Sequence, residues 1–169
     1  MTRPLTALRR HTVATTALGD ITLVASGATI EGLYVPHHWH MPDPATFGPR
    51  VEGGFDEVIR ELREYLDGCR RAFTVPTLAR GDALRRRVWE LICEIPYGAT
   101  TTYGTLAGRL NAGVDAKQVG AMVGSNPLPI LIPCHRVVGS TGKLTGYSGG
   151  LRRKELLLNL EGTALAAGQ

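Results

Sequence analysis

The chain has 169 residues, a mass of 18.2 kDa, 43% apolar and 20% charged residues, and a formal net charge of +4. That length suits one large domain or two small ones, and the apolar content excludes a disordered or collagen-like polymer. No apolar stretch approaches the ~20 residues of a membrane span, and the three cysteines, Cys69, Cys93 and Cys134, cannot all pair and match no zinc spacing. Arg3, Arg9 and Arg10 have no apolar run behind them, so no secretory signal is expected, and a reducing cytoplasm or nucleoid is the expected location. Residues 1–80 balance nine Lys/Arg against nine Asp/Glu, whereas residues 81–169 carry ten against six, so the whole excess sits in the second half. A polyanionic partner and a solubilising surface both fit that asymmetry.

In chain order, 12–16 and 21–25 flank Ala17-Leu18-Gly19-Asp20, which predicts a hairpin, with 29–35 as a third strand. Residues 36–49, rich in Pro, His and Gly, predict a loop. Within it His37, His38 and His40 read as exposed side chains and not as metal ligands, because no cysteine lies near them. From Phe55, apolar residues Val58, Ile59, Leu62 and Leu66 recur at helical spacing until Gly68. Residues 73–82 predict an extended connection, and the domain boundary is placed there, giving units 1–78 and 79–169.

The second half is mostly helical. Leu84, Val88, Leu91, Ile92 and Ile95 form a stripe that stops at Pro96-Tyr97-Gly98, with Arg85-Arg86-Arg87 read as a solvated face. Cys69 and Cys93 read as helix-packing residues. Residues 103–110 predict a short helix, Asn111-Ala112-Gly113 a turn, and Asp115 the N-cap of a second helix reaching about Gly124. Two short helices across a glycine-containing turn resemble a helix-turn-helix. Ala116, Gly120 and Gly124 share one face of the second helix, open either to a sugar–phosphate backbone or to a neighbouring helix. Asn126-Pro127 closes it, 139–150 is a glycine-rich loop, and 151–160 predicts a closing helix.

The densest cluster of reactive side chains is Ile132-Pro133-Cys134-His135-Arg136-Val137. In an extended segment adjacent side chains face opposite ways, so a bridging water is expected between the Cys134 thiol and His135. A histidine oriented at its far nitrogen by an acid can take the thiol proton, and a cationic or hydrogen-bonding setting lowers a thiol from its usual pKa of ~8.5. An inert core cysteine fits the dipeptide as well.

The same segment resembles the active-site signature of the O6-alkylguanine-DNA alkyltransferases. The resemblance continues in Ile95-Pro96-Tyr97-Gly98, the Tyr103 helix, Ser125-Asn126-Pro127, Gly142-Lys143-Leu144-Thr145-Gly146-Tyr147-Ser148-Gly149-Gly150, and Arg153-Lys154-Glu155-Leu156-Leu157-Leu158 through Glu161-Gly162. It covers nearly all of 84–162, and the first half matches more loosely through Tyr65-Leu66-Asp67-Gly68 and Phe73-Thr74-Val75-Pro76. It implies an α/β ribonuclease-H-like domain followed by a mostly α domain with a helix-turn-helix. It implies a DNA-repair protein that flips O6-alkylguanine out of double-stranded DNA and moves the alkyl group irreversibly onto its own cysteine, once, with no cofactor and no metal. The implied protein is a cytoplasmic monomer with no membrane partner; O4-alkylthymine activity and cooperative DNA binding stay open.

By resemblance, Cys134 is the acceptor, His135 the water-mediated base, and Glu161 its orienting acid, which requires the closing helix to fold back. Tyr103 corresponds to a phenol that donates to guanine N3; Cys134 and Val137 offer carbonyls to the guanine amine; Tyr147 and Ser148 wall the base and donate to O6. Asn126 ties the recognition helix to the cysteine loop, and Ala116, Lys117, Gln118, Gly120 and Arg136 are the DNA contacts. Two positions depart from the family: Lys117 stands where an arginine usually fills the vacated base stack, and Leu84-Arg85 stands where Phe-Gln is common. An ammonium cannot stack as a planar guanidinium does, so weaker flipping is expected. A Cys-His-Glu hydrolase would instead pass through a thioester that water cleaves, and a plain helix-turn-helix regulator would not need Cys134, His135 or Glu161.

Overall fold

A computed structural model describes residues 8–163. Strands β1 (Arg9–Thr16), β2 (Gly19–Ser26) and β3 (Thr29–Tyr34) form an antiparallel sheet in that order. Thr16 pairs with Gly19, so the hairpin turn is only Ala17-Leu18, and Gly19 supplies the positive φ of 103° that so tight a reversal requires. Ile21, Leu23 and Ala25 of β2 are fully buried in the main core, while Val24 on the opposite face packs with Tyr34 and Phe47, whose rings stack at 5.4 Å. A short 3-10 turn, Pro44–Phe47, interrupts the predicted loop.

Helix α1 (Asp56–Leu66) buries Val58, Glu61, Leu62 and Tyr65, and Gly68 (φ 79°) ends it in the left-handed conformation that glycine adopts without strain. The extended connection is pinned against β3: Ile30 N–H donates to Pro76 O at 2.9 Å and Leu78 N–H to Ile30 O at 2.9 Å. Its anchor is buried Glu61, whose carboxylate accepts from Thr74 N–H at 3.0 Å and from the Thr74 hydroxyl.

Helices α2, α3 and α4 each start on a side-chain cap. Asp82 accepts from Arg85 N–H at the head of α2 (Ala83–Cys93), and Thr102 from Thr105 N–H at the head of α3 (Tyr103–Leu110). Asp115 and Gln118 form a reciprocal capping box on α4 (Ala116–Gly124). Strand β4 (Thr101–Thr102) pairs in parallel with β5 (Val137–Val138), which sets the start of α3 beside the segment that follows Cys134. Helix α5 (Leu151–Leu160) closes the chain with Lys154, Leu157 and Leu158 inward. One contiguous core joins Leu23 and Leu33 of the sheet, Leu62 of α1, Leu91 and Ile92 of α2, Leu106 of α3, Leu128 and Leu157. Each such side chain contributes roughly 1.5–3 kcal/mol by leaving water. Among the described residues, no helix is long and apolar enough to cross a membrane.

Three expectations are corrected. Cys69 and Cys93 are exposed and do not pack between helices; they lie just past the end of α1 and at the last residue of α2. His38 is buried, its ring set edge-on against Tyr34 at 5.2 Å, and burial together with nearby His40 drives its pKa down to about 4. Cys134–Arg136 is a 3-10 turn, not an extended segment, because Arg136 N–H reaches back to Pro133 O at 3.0 Å.

Candidate active site

The 3-10 turn puts Cys134, His135 and Arg136 on different sides of one buried loop. Cys134 reaches a cavity of about 630 Å³, within the range of small-molecule sites, whose walls include Tyr103, Ala116, Lys117, Gly120, Tyr147 and Ser148. His135 points the other way, into the protein, where its Nε2 lies 2.8 Å from Glu161 Oε1. Glu161 caps the C-terminus of α5, so the closing helix does fold back and bring the late carboxylate to the imidazole.

That carboxylate is a hub. It also accepts from Tyr65 Oη at 2.7 Å and from Arg136 through Nε at 2.9 Å and Nη2 at 2.8 Å. Burial alone would raise Glu161, but the donors from His135, Arg136 and Tyr65 outweigh it and hold the carboxyl at about 2. An ionised Glu161 only accepts, so Nε2 of His135 carries the proton and Nδ1 is the basic nitrogen. Nδ1 is buried and has no hydrogen-bond partner among the described residues. Burial lowers the imidazole's pKa, against the pull of Glu161, so the ring rests neutral near pH 7.

The thiol is not the lowered one expected. Burial pushes Cys134 up to about 11, while a hydrogen bond from Asn126 and the charge of Lys154 pull weakly the other way. Resting Cys134 is therefore a protonated thiol that needs a base. Lys154 was not foreseen. It is fully buried, its Nζ donates to Val137 O at 2.7 Å and Thr145 O at 2.8 Å, and it approaches Tyr103 Oη at 3.4 Å. Burial drags its pKa down to about 8, with the Cys134 sulfur opposing. The available signal was a lysine at i, i+3, i+4 spacing with Leu157 and Leu158, on the inward face of the closing helix; Tyr65 likewise stands three residues after Leu62 on the inward face of α1.

The remaining expected residues divide. Asn126 is buried, donates to Ile132 O at 3.0 Å and accepts from Leu128 N–H at 2.9 Å, joining the end of α4 to the strand of chain that leads into Cys134. Tyr103 and Tyr147 line the cavity; Tyr103 Oη donates to Thr145 O at 3.2 Å. Ser148 also lines it, with its hydroxyl bound to Gly124 O at the end of α4. Ala116, Lys117 and Gly120 face the same space, while the Gln118 side chain accepts from Asp115 N–H in the capping box. A Cβ built on Gly120 would meet only the Tyr103 ring at the head of α3, at 3.8 Å, and one on Gly124 would meet nothing within 4 Å, so among the described residues this stripe is largely open.

Two expected contact residues stand away from the cavity lining. Arg136 is buried, and besides Glu161 it donates to Ile95 O at 2.7 Å. Val137 is fully buried outside the cavity walls, where its carbonyl accepts from Lys154.

With this geometry in view, residues 83–163 match the family model described as 6-O-methylguanine DNA methyltransferase, DNA binding domain. A methylated-DNA–protein-cysteine methyltransferase of Mycobacterium tuberculosis is 39% identical over 144 residues, 85% of this chain and 87% of that protein. An inducible methylated-DNA–protein-cysteine methyltransferase of Bacillus subtilis is 48% identical over 101 residues, 60% of this chain and 56% of that one. The crystal structure of the Mycobacterium tuberculosis OGT in complex with DNA superposes with a TM-score of 0.83 at 35% identity, covering 90% of this chain and 92% of the other. The chain belongs to the methylated-DNA–protein-cysteine methyltransferase family.

Proposed function

We propose that the protein repairs O6-alkylguanine in duplex DNA by moving the alkyl carbon onto Cys134 Sγ. The observation that carries this is the placement of a buried thiol at a cavity of about 630 Å³, roomy enough for a base, beside a histidine whose basic Nδ1 is set by Glu161 on its far side. The thiol proton passes to His135 Nδ1 through a bridging water, and the imidazolium formed is stabilised by the Glu161 carboxylate. Sulfur attacks the O6-alkyl carbon from the side opposite the C–O6 bond. That bond breaks, its electron pair goes to the base, and a proton donated by Tyr103 toward N3 neutralises the developing anion. Lys154 keeps a positive charge near sulfur and the Tyr103 hydroxyl through both events. The product is a thioether, from which neither water nor His135 can displace sulfur, so each chain acts once.

In this reading α3 and α4 are a helix-turn-helix whose second helix lies in the minor groove with its Ala116–Gly120–Gly124 face toward the strand. Residues 1–78 form a ribonuclease-H-like unit and 79–169 the alkyltransferase unit, and the protein works as a cytoplasmic monomer on double-stranded DNA after flipping the damaged nucleotide. Support comes from the open small-residue stripe and from the relative whose structure contains DNA. Incubation with an O6-methylguanine duplex, followed by intact-mass and peptide mapping, tests the reading. One methyl per chain on Cys134, with saturation, is expected. Multiple turnover, or methylation elsewhere with Cys134 untouched, overturns it.

A further inference from the structure

The cavity has a wall that neither α4 nor the Cys134 loop provides. Trp39 and His40, from the loop after β3, line its rim together with Ser148 and Tyr147. The Trp39 side chain is left largely in water at 71% exposure, whereas Trp89, the other tryptophan, is buried at 3%. The loop beneath Trp39 is firmly held. Trp39 N–H donates to Ser148 O at 2.8 Å, and His38 N–H donates to Val35 O at 3.2 Å while its ring is buried against Tyr34. His37 and His40 take φ of 58° and 61°, a left-handed backbone that non-glycine residues keep only where their surroundings impose it. The His40 ring meets the indole edgewise at 6.5 Å.

We propose that Trp39 is a stacking platform for the nucleotide drawn into the cavity, so that the N-terminal half contributes directly to lesion binding. This rests on the repair reading above. Trp39 lines the same space as Cys134, Lys117 and the small-residue face of α4, and in the repair reading what enters there is a flat base attached to an anionic backbone. Base–aromatic stacking is sequence-tolerant and strong enough that removing one ring weakens binding about 5- to 150-fold.

The two tryptophans make the test direct, because Trp89 is buried with its Nε1 donating to Met122 O at 3.0 Å. In a Cys134→Ser protein, which binds without reacting, saturation with an O6-methylguanine duplex should quench the exposed-indole emission. Undamaged duplex should quench it less, and Trp39→Phe should abolish the quenching while keeping most of the affinity. Trp39→Ala in the same Cys134→Ser background should lose about 5- to 150-fold in affinity for the damaged duplex, with an unchanged melting temperature as the check on folding. Unquenched emission, equal quenching by undamaged duplex, or an affinity within twofold in Trp39→Ala each overturns the platform. Methyl transfer to Cys134 by the parent chain stands or falls separately, so failure of stacking and failure of the repair reading are told apart.

Discussion

The residue that organises the site is Glu161, because one carboxylate answers three buried donors from two distant parts of the chain: Tyr65 of α1, and His135 with Arg136 of the 3-10 turn. Glu161→Gln leaves the Arg136 guanidinium buried without its counter-charge, at a cost of about 3–5 kcal/mol, and removes the charge that stabilises an imidazolium. Urea unfolding should show that loss, and methyl transfer should slow by on the order of 100-fold. The acid limb of stability follows from the same group. With a folded pKa of about 2 against ~4.3 in the unfolded chain, Glu161 adds on the order of 3 kcal/mol above pH 5, lost as pH falls toward 2. Buried Glu61, also held low, shares that window, so the Gln variant should flatten the limb without abolishing it. The transfer rate has its own profile: the neutral His135 gives a plateau near pH 7 and a decline as the ring protonates below its ordinary 6.5. Iodoacetamide labelling of Cys134 should be slow at pH 8 and climb toward pH 11; fast labelling at neutral pH would show the thiol to be already ionised. Cys134, His135 and Glu161 were all legible in the sequence through family resemblance. The burial of Arg136 was not legible because a cation beside a catalytic pair looks like a phosphate contact, and Lys154 and Tyr65 were hidden because apolar periodicity says which face turns inward but not what a polar residue on that face touches.

Among the elements, α4 carries the clearest departure between packing and function. Its small residues face largely open space, and Gly120→Ala adds a methyl in ordinary contact with the Tyr103 ring of α3 at 3.8 Å. Alanine is the better helix former by up to about 1 kcal/mol, so the melting temperature should hold or rise while transfer from a duplex slows. A fall in both would return the stripe to a packing role. Lys117, exposed on the same helix, gives the complementary test: Lys117→Arg should speed transfer from duplex DNA, with no change in iodoacetamide labelling, and no gain in rate would count against a flipping role for this position. The elements themselves were largely readable, since Gly68, Asp82, Asp115 and Asn126-Pro127 mark boundaries by local chemistry that acts over only a few residues. The 3-10 turn at Cys134 was not, because it is imposed by the β4–β5 pairing and the α5 contacts on either side and by no propensity of its own.

Across the whole molecule, the half that lacks the reactive cysteine holds the site in shape. Leu33 N–H donates to Pro127 O at 2.9 Å, Trp39 N–H to Ser148 O at 2.8 Å, and Tyr65 to Glu161 at 2.7 Å. Arg153 of α5 donates to Leu18 O at 2.9 Å in the hairpin turn, to Pro36 O at 3.2 Å and to Gly149 O at 3.0 Å beside the cavity wall. The boundary expected near residue 78 rests on the extended connection of 73–82, yet these links and the shared core cross it, and no local pattern announces them. Units so coupled unfold together. Denaturation should therefore give one transition, with Trp89 emission, isolated by Trp39→Phe so that it reports the second half alone, coincident with far-ultraviolet circular dichroism, which reports both. Arg153→Ala strands three carbonyls at the seam and should lower the midpoint by about 1–3 kcal/mol while keeping the two probes coincident. Separation of the probes with Arg153 intact would mean that the halves are independent bodies; in that case the N-terminal half cannot hold Tyr65 and Trp39 at the site, and a fragment of 79–169 should react as fast as the whole.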